Sequence, residues 1–372
     1  MQYRRMPIEV ESPEQMGYDK IRNNLSESSY TDTLFREVDT GSGLGDLVLA
    51  YGSHQGHEGL RQLVVKNNGL DAGDVLTTIG AAGALFIIAT TLLEKGDELV
   101  VVRPNYATNI ETPRAIGATV KYIDLRFEER FALDIDRIKS AITPNTRYIS
   151  LTHPHNPTGA CLEATQLNAL AQLAEEKALH ILVDETYRDM VFGPQLPLAA
   201  EYSPKMISIS SLSKTYGLPG LRTGWIICRD RRLLETFLAA KEQMHICGPV
   251  IDEELAYRYL LQKDRHFPRI SADIKAKFEV VKDWMQQQGD WEWIEPRGGC
   301  VCFPRLKDPQ RTDLDNFYRI LLEKYGTYVG AGHWFEMPRH YIRLGFGWPT
   351  KDQLQEGLSA LSKAVEEASL SR

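Results

Sequence analysis

Ser211-Leu-Ser-Lys214-Thr-Tyr-Gly-Leu-Pro-Gly-Leu-Arg222-Thr-Gly-Trp is the stretch on which the reading of this chain turns. An apolar run, Met206-Ile-Ser-Ile-Ser, leads into a lysine set between small hydroxyl residues, and an arginine follows a Gly-Leu-Pro-Gly turn. A lysine that forms a Schiff base has to be fixed in place and held partly out of water, so that its amine is neutral and nucleophilic. Arginine and hydroxyl groups close by suit a phosphate dianion. One covalent bond at an aldehyde and several charge-assisted hydrogen bonds at a phosphate are the anchor that pyridoxal 5′-phosphate requires. The plainer alternative is a surface loop with a solvated Lys214 and Arg222.

Two further segments supply what such a cofactor still needs. In His180-Ile-Leu-Val-Asp184-Glu185-Thr-Tyr187 an apolar run ends in an acid, the pattern of a buried strand that presents a carboxylate at its C-terminal end. Asp184 beside a pyridine nitrogen would keep that nitrogen protonated and the ring able to accept electrons. An acid that caps the next helix is the structural alternative. In Tyr148-Ile-Ser-Leu-Thr-His153-Pro-His155-Asn156-Pro157-Thr158-Gly159 a strand runs into a Pro- and Gly-rich turn. Asn156 and Tyr187 are placed to donate to a phenolic ring oxygen; an ordinary Asn-Pro turn is the alternative for Asn156.

With these segments on the page, the chain resembles the fold-type I, class I/II aminotransferases over nearly its full length. The marks are Asn156-Pro-Thr-Gly159, Asp184-Glu-x-Tyr187, Ser211-x-Ser-Lys214 with Arg222, and Arg343 in Ile-Arg-Leu-Gly-Phe. The resemblance implies pyridoxal phosphate as cofactor and Lys214 as the Schiff-base lysine. It implies Asp184 as partner of the ring nitrogen, Asn156 and Tyr187 as partners of the ring oxygen, and Ser211 and Arg222 as phosphate ligands. Arg343 becomes the clamp on the substrate α-carboxylate. In Thr77-Thr-Ile-Gly80-Ala81-Ala82-Gly83, Ala81 and Ala82 would offer backbone N–H groups to the phosphate at a helix N-terminus. Close helix–strand packing explains those small residues as well. Tyr106 in Arg103-Pro-Asn-Tyr106 matches an aromatic residue that stacks on the ring; a core tyrosine is its alternative. Tyr51, in Tyr51-Gly-Ser-His-Gln-Gly56, matches a tyrosine that reaches the phosphate of the neighbouring subunit, which implies a homodimer with shared sites. It is otherwise a turn residue.

The activity so implied moves an amino group between an L-amino acid and a 2-keto acid, with Lys214 as general base. A narrower resemblance points elsewhere from the same first carbanion. Asn24-Leu-Ser26-Glu27-Ser28, Pro296-Arg-Gly-Gly299 with Phe303-Pro-Arg305, and Leu-Pro-Gly-Leu-Arg222-x-Gly-Trp225 are similar to capreomycidine synthase and its relatives. Those enzymes eliminate a β-hydroxyl from an arginine derivative and close a ring. This adds Ser26, Glu27 and Asn156 as candidate substrate contacts, with Glu27 facing a cationic side chain or, alternatively, solvent. Regulators that carry this fold for sensing normally add a DNA-binding region, and no basic helix-turn-helix segment precedes the motifs here.

Composition is consistent with a cytoplasmic enzyme. The chain has 372 residues, 43% hydrophobic and 25% charged, enough to bury a core of two domains. A net charge of −7 gives no support for nucleic-acid binding. No apolar stretch is long enough to span a membrane, and Met1-Gln-Tyr-Arg-Arg lacks the apolar region of a secretory signal. Five cysteines without framework spacing fit a reducing compartment, with Cys300 and Cys302 on one strand face. His153-Pro-His155 lacks a third metal ligand and reads as structural.

Strand-like runs at 75–79, 98–102, 119–125, 147–152, 180–184, 206–210 and 223–228 alternate with helical patterns such as Leu162, Leu167, Leu170 and Leu173. This predicts an α/β fold, a mostly parallel sheet with helices on both faces and ligands at the C-terminal strand ends. From about residue 266 a long amphipathic helix, strands at 299–303 and 341–346, and a helix from Lys351 suggest a smaller α+β unit. The division expected is 1–45 joining the small domain, 46–265 the large cofactor domain, and 266–372 the small domain. Gly41-Ser-Gly-Leu-Gly45 follows no convincing strand and is read as a connection rather than a nucleotide loop.

Overall fold

Residues along the central strands alternate between two apolar faces, and helices cover both. The computed structural model describes residues 1–38 and 43–369. Gly41 and Ser42 of the glycine-rich connection lie outside the described residues.

The strands are β1 Asn23–Leu25, β2 Val75–Ile79, β3 Glu98–Arg103, β4 Thr119–Asp124, β5 Thr146–Thr152, β6 His180–Asp184, β7 Met206–Ser211 and β8 Thr223–Ile227. β2 to β8 form one sheet in the order β2-β8-β7-β6-β5-β3-β4. The neighbours from β7 to β4 run parallel, whereas β8 is antiparallel to both β7 and β2. The seven predicted runs fall on these strands to within one residue at each end. The reversal at β8 carries no sequence signal of its own.

Alternation builds two cores. Leu99, Val101, Leu182, Ile207 and Ile209 face the helix Gly80–Leu92 and Phe237. Val100, Val102, Ile149, Ile181 and Val183 face Leu167, Leu170 and Leu173 of the helix Ala164–Lys177. Both helices are long enough to bury a full apolar stripe, and truncating one such leucine to alanine costs about 2–5 kcal/mol.

Two smaller sheets follow, and the four-stranded one holds an N-terminal strand against C-terminal ones. β9 Trp291–Glu292 pairs with β11 Arg305–Leu306, while β10 Val301–Cys302, β12 Thr327–Ala331 and β13 Ile342–Gly345 join β1 in the order β1-β12-β13-β10. β1 lies parallel to β12. The predicted strand at 299–303 shortens to Val301–Cys302, because Gly299 enters it at a φ of 82° and Pro304 follows it without an N–H to donate. The long helix runs Lys263–Gln287 and the closing helix Lys351–Glu367.

Candidate active site

Parallel register gathers the ends of three strands. Thr152 pairs with Asp184, and Asp184 with Ile209, so β5, β6 and β7 finish side by side. The loops that follow carry Asn156, Tyr187 and Lys214 into one cavity of about 380 Å³. Its lining also holds Ala81, Ala82, Tyr106, Ser211, Arg222, Ser26, Glu27 and Arg343. Of the residues singled out from sequence only Tyr51 stands apart, at 80% exposed.

One end of the cavity is a cradle of donors. The helix Gly80–Leu92 begins where β2 ends, with no acidic residue in its first turn. Gly80 takes a φ of 63°, and its N–H donates to the Arg222 carbonyl at 2.8 Å. A Cβ on Gly80 would stand 2.6 Å from Arg222 Nη2, and one on Gly224 would stand 2.8 Å from the Ala81 nitrogen. Only glycine at both positions lets the helix N-terminus and the guanidinium close on the same space. Arg222 Nη1 donates to the Pro219 carbonyl at 2.9 Å and reaches Ser213 Oγ at 3.5 Å.

The middle of the cavity is anionic and buried. Asp184 is 7% exposed; its Oδ1 accepts from the Thr186 N–H at 3.0 Å and the Thr186 hydroxyl at 2.6 Å. Burial pushes its carboxyl above the usual range, against the two bonds from Thr186. A cation beside the other oxygen would relieve that cost. Tyr187 is buried, with the Ser28 hydroxyl against its own, and burial raises its phenol. Tyr106 points its hydroxyl at Glu9 Oε1, 3.4 Å away. The donor cradle therefore fits a phosphate monoester, Asp184 a protonated ring nitrogen, and Lys214 an aldehyde, as the anchor read from sequence requires.

The far end belongs to Arg343, which is 5% exposed. Nη2 donates to the Ser26 carbonyl at 2.7 Å and Nη1 to Asn156 Oδ1 at 3.3 Å. The guanidinium also lies 5.1 Å from the Phe335 ring centre and 5.9 Å from that of Trp334. Ser26 serves the site through its carbonyl, because its hydroxyl donates to Asn24 Oδ1 at 2.7 Å. Burial pushes the Glu27 carboxyl up, and the nearby charges of Lys214 and Arg343 pull it back.

Several lining residues escaped the sequence reading. Thr186 follows Asp184 at the spacing of a local side-chain turn, a signal that was available. Ile8, Glu9, Pro13 and Glu14 come from an N-terminal strap of two one-turn helices, Pro7–Val10 and Pro13–Met16. Nothing local announces that a strap so far from the motifs in sequence lies over them. His153 and His155 are structural: Leu162 N–H donates to His153 Nδ1 at 3.0 Å, and His155 Nδ1 meets Thr158 Oγ1 at 2.8 Å. Burial pushes both imidazoles down to about 4, so both are neutral at pH 7.

Known proteins resemble this chain in sequence and in fold. The family model described as aminotransferase class I and II matches residues 23–361. The chain is 29% identical to capreomycidine synthase of Streptomyces vinaceus over 325 residues, 87% of this chain and 82% of that protein. It is 27% identical to arginine–pyruvate transaminase of Pseudomonas aeruginosa over 321 residues, covering 81% and 79% of the two chains. A PLP-dependent aminotransferase from Streptococcus suis superposes with a TM-score of 0.90 at 25% identity, over 100% of both chains.

Proposed function

The chain belongs to the aminotransferase class I and II family, and from that premise we propose that its cavity moves an amino group between an L-amino acid and a 2-keto acid. The observation that carries this is the meeting of Lys214, Asp184 and Arg343 in one cavity with a phosphate cradle at its end. The cofactor is pyridoxal 5′-phosphate, which when bound supplies the electron sink for charge developing at the substrate α-carbon.

The chain's own residues do the rest. Arg222, Ser211 and the N–H groups of Ala81 and Ala82 would hold the phosphate. Asp184 would face the ring nitrogen, Asn156 and Tyr187 the ring oxygen, and Tyr106 a ring face. Because Asn156 Oδ1 is taken by Arg343, its amide nitrogen is the group left to donate. Arg343 grips the substrate carboxylate in two bonds and so turns the α-proton toward Lys214. Lys214 takes that proton as general base and returns one on the other side of the exchange.

Similarity to capreomycidine synthase favours a second reading, elimination and ring closure on an arginine derivative. Product analysis separates the two. Transamination releases a 2-keto acid and leaves the cofactor in its amine form; elimination leaves the cofactor as it was. Under either reading, borohydride should fix the cofactor to the peptide bearing Lys214. An adduct on another lysine would overturn the assignment.

The same reading divides the chain into a joining segment 1–45, a cofactor domain 46–265 and a small domain 266–372, a division that the separate seven-stranded and four-stranded sheets support. It also makes the protein a homodimer. Tyr51 is 80% exposed beside Val48 at 76% and Leu49 at 71%, an apolar surface suited to a second copy. Tyr51 of the partner subunit would complete the phosphate cradle. Mixed Lys214→Ala and Tyr51→Phe chains should regain part of the activity, whereas an active monomer in sedimentation would refute the shared site. The free cysteines support a cytoplasmic location.

A further inference from the structure

Thr77 stands on β2, just before the helix whose N-terminus forms the donor cradle, and its hydroxyl joins two buried charges. Lys241, on the helix Arg231–His245, is 0% exposed, and its Nζ donates to Thr77 Oγ1 at 3.0 Å. That hydroxyl donates in turn to Glu253 Oε1 at 2.5 Å. Glu253 is buried on the helix Val250–Leu261, and its Oε2 accepts from the His57 N–H at 2.8 Å. The backbone closes tightly around this hub. A Cβ on Gly56 would stand 2.0 Å from Thr77 Oγ1, and one on Gly248 would stand 2.0 Å from Glu253 Oε1. Buried charges are costly, and apolar residues of similar size often pack as well. What the charged pair adds is direction, because each of its hydrogen bonds fixes a neighbouring segment.

We propose that Lys241, acting through Thr77 and Glu253, is a positioning residue of the phosphate cradle, and that its ammonium keeps the cradle's parts in register. This rests on reading that end of the cavity as the phosphate site. Three parts meet at the hub. The first is the helix start: Thr78, next to Thr77, donates its hydroxyl to the Gly80 carbonyl at 2.8 Å. The second is Arg222. Asp252, next to Glu253, accepts from Thr223 Oγ1 through its carbonyl at 3.5 Å. Burial and Glu253 push the Asp252 carboxyl up, and the charge of Arg222 pulls it back. The third is the turn that carries Tyr51. Thr77 N–H donates to the Gln55 carbonyl at 3.0 Å, and Arg61 Nε to the Gly56 carbonyl at 3.1 Å. Burial pushes the Lys241 ammonium down to about 8. Glu253, Cys247 and Glu242 face it and favour the charged form, whereas Arg61 and His245 oppose it. As pH rises through about 8, Lys241 becomes neutral and Glu253 loses its counter-charge.

The test titrates the full chain by absorbance with pyridoxal 5′-phosphate and with pyridoxal, which lacks the phosphate. Thr77→Val keeps the shape and removes the hydroxyl. It should weaken pyridoxal 5′-phosphate about tenfold, the size of one hydrogen bond to a charged group, and leave pyridoxal unchanged. Thr77→Ser restores the hydroxyl and should recover most of that loss. At saturating cofactor, kcat and the KM for the amino donor should stay near wild type in both variants, because Lys214, Asp184 and Arg343 are untouched. Lys241→Met supplies the pH reading, since groups common to both proteins cancel in the ratio of wild-type to variant affinity. That ratio should be about tenfold at low pH and fall toward one as pH rises through about 8. Lys241→Met combined with Glu253→Gln removes both buried charges together and gives the same reading if the single variant does not fold. Wild-type affinity in Thr77→Val, an equal loss for pyridoxal, or a ratio that stays flat with pH would overturn the positioning role. A lower melting temperature with unchanged affinity would make the hub merely structural and overturn it too. Wild-type protein that binds pyridoxal as tightly as its phosphate would overturn the cradle itself, and the proposal with it.

Discussion

Replacing Gly80 by alanine tests whether the phosphate is held between the helix Gly80–Leu92 and Arg222. Gly80 sits at a φ of 63°, where a Cβ costs about 1–2 kcal/mol. The added methyl would stand 2.6 Å from Arg222 Nη2 and 3.2 Å from its Cζ, so the guanidinium has to swing away. Losing one charge-assisted contact to a phosphate is worth about 1.5–3 kcal/mol, or roughly tenfold to a hundredfold in affinity. Gly80→Ala should therefore weaken cofactor binding by that factor and lower the melting temperature of the cofactor-free protein by a few degrees. Gly83→Ala, on the same helix, is the control. Its new Cβ would meet Ile79 Cβ at 3.6 Å, an ordinary contact, and alanine in a helix gains up to about 1 kcal/mol. Equilibrium titration of the cofactor by absorbance reads the first effect, and thermal unfolding reads the second. Wild-type cofactor affinity in Gly80→Ala would refute the cradle; equal losses in both variants would reduce it to a general disturbance of the helix.

Three further outcomes follow from the same geometry. Arg343→Lys should raise KM for the amino donor by two or more orders of magnitude with little change in cofactor affinity, because the three donors of an ammonium cannot keep Asn156 Oδ1 and the Ser26 carbonyl and also make two parallel bonds to a carboxylate; equal loss of both affinities would make Arg343 structural. Asp184→Asn should keep the Thr186 contacts and bind cofactor, yet lose about two orders of magnitude or more in turnover, and near-normal kcat would remove Asp184 from the ring nitrogen. Glu185 is buried, with Oε1 accepting from the Ala199 N–H at 3.1 Å, and burial raises its carboxyl from 4.5 to about 7. A raised folded-state value means stability that is fully present below about pH 4.5 and lost as pH rises through about 7, so wild type should lose up to about 3 kcal/mol relative to Glu185→Gln across that window. A constant difference in denaturant unfolding between pH 4.5 and 8 would contradict it.

The parts of the fold legible in sequence are those whose signal is local. Ile181-Leu-Val and Ile207-Ser-Ile are runs that a buried parallel strand demands, and each ends in the residue that the next loop presents. Asp184 and Ser211 could be placed at a ligand site because strand ends of such sheets face one crevice. β1 and β12 gave no such signal. Asn23-Asn-Leu is three residues long and mostly polar, and it becomes a strand because Thr327–Ala331 lies beside it, Gly345 leaves room for the Leu25 and Glu27 carbonyls, and Gly357 leaves room for the Leu25 side chain.

The same distinction runs through the cavity. Cofactor anchors are legible because a phosphate, a ring nitrogen and an aldehyde have fixed separations, and short motifs meet them. The groups that choose a substrate have no such template. Arg343 reaches its place only because β13 pairs with β12, and β12 with β1, which delivers the Ser26 carbonyl from more than three hundred residues away. Glu9 and Glu14 reach theirs only because Glu11 finds His333 and Trp334 across a similar span. Neither contact has a spacing that could be read along the chain. A strap pinned at Glu11, through its carboxylate and its carbonyl, can therefore change what lines the cavity mouth while every cofactor motif stays intact. Selection among amino acids in this protein should accordingly be altered by substitutions in residues 7–16 and at Glu27 well before its cofactor chemistry is.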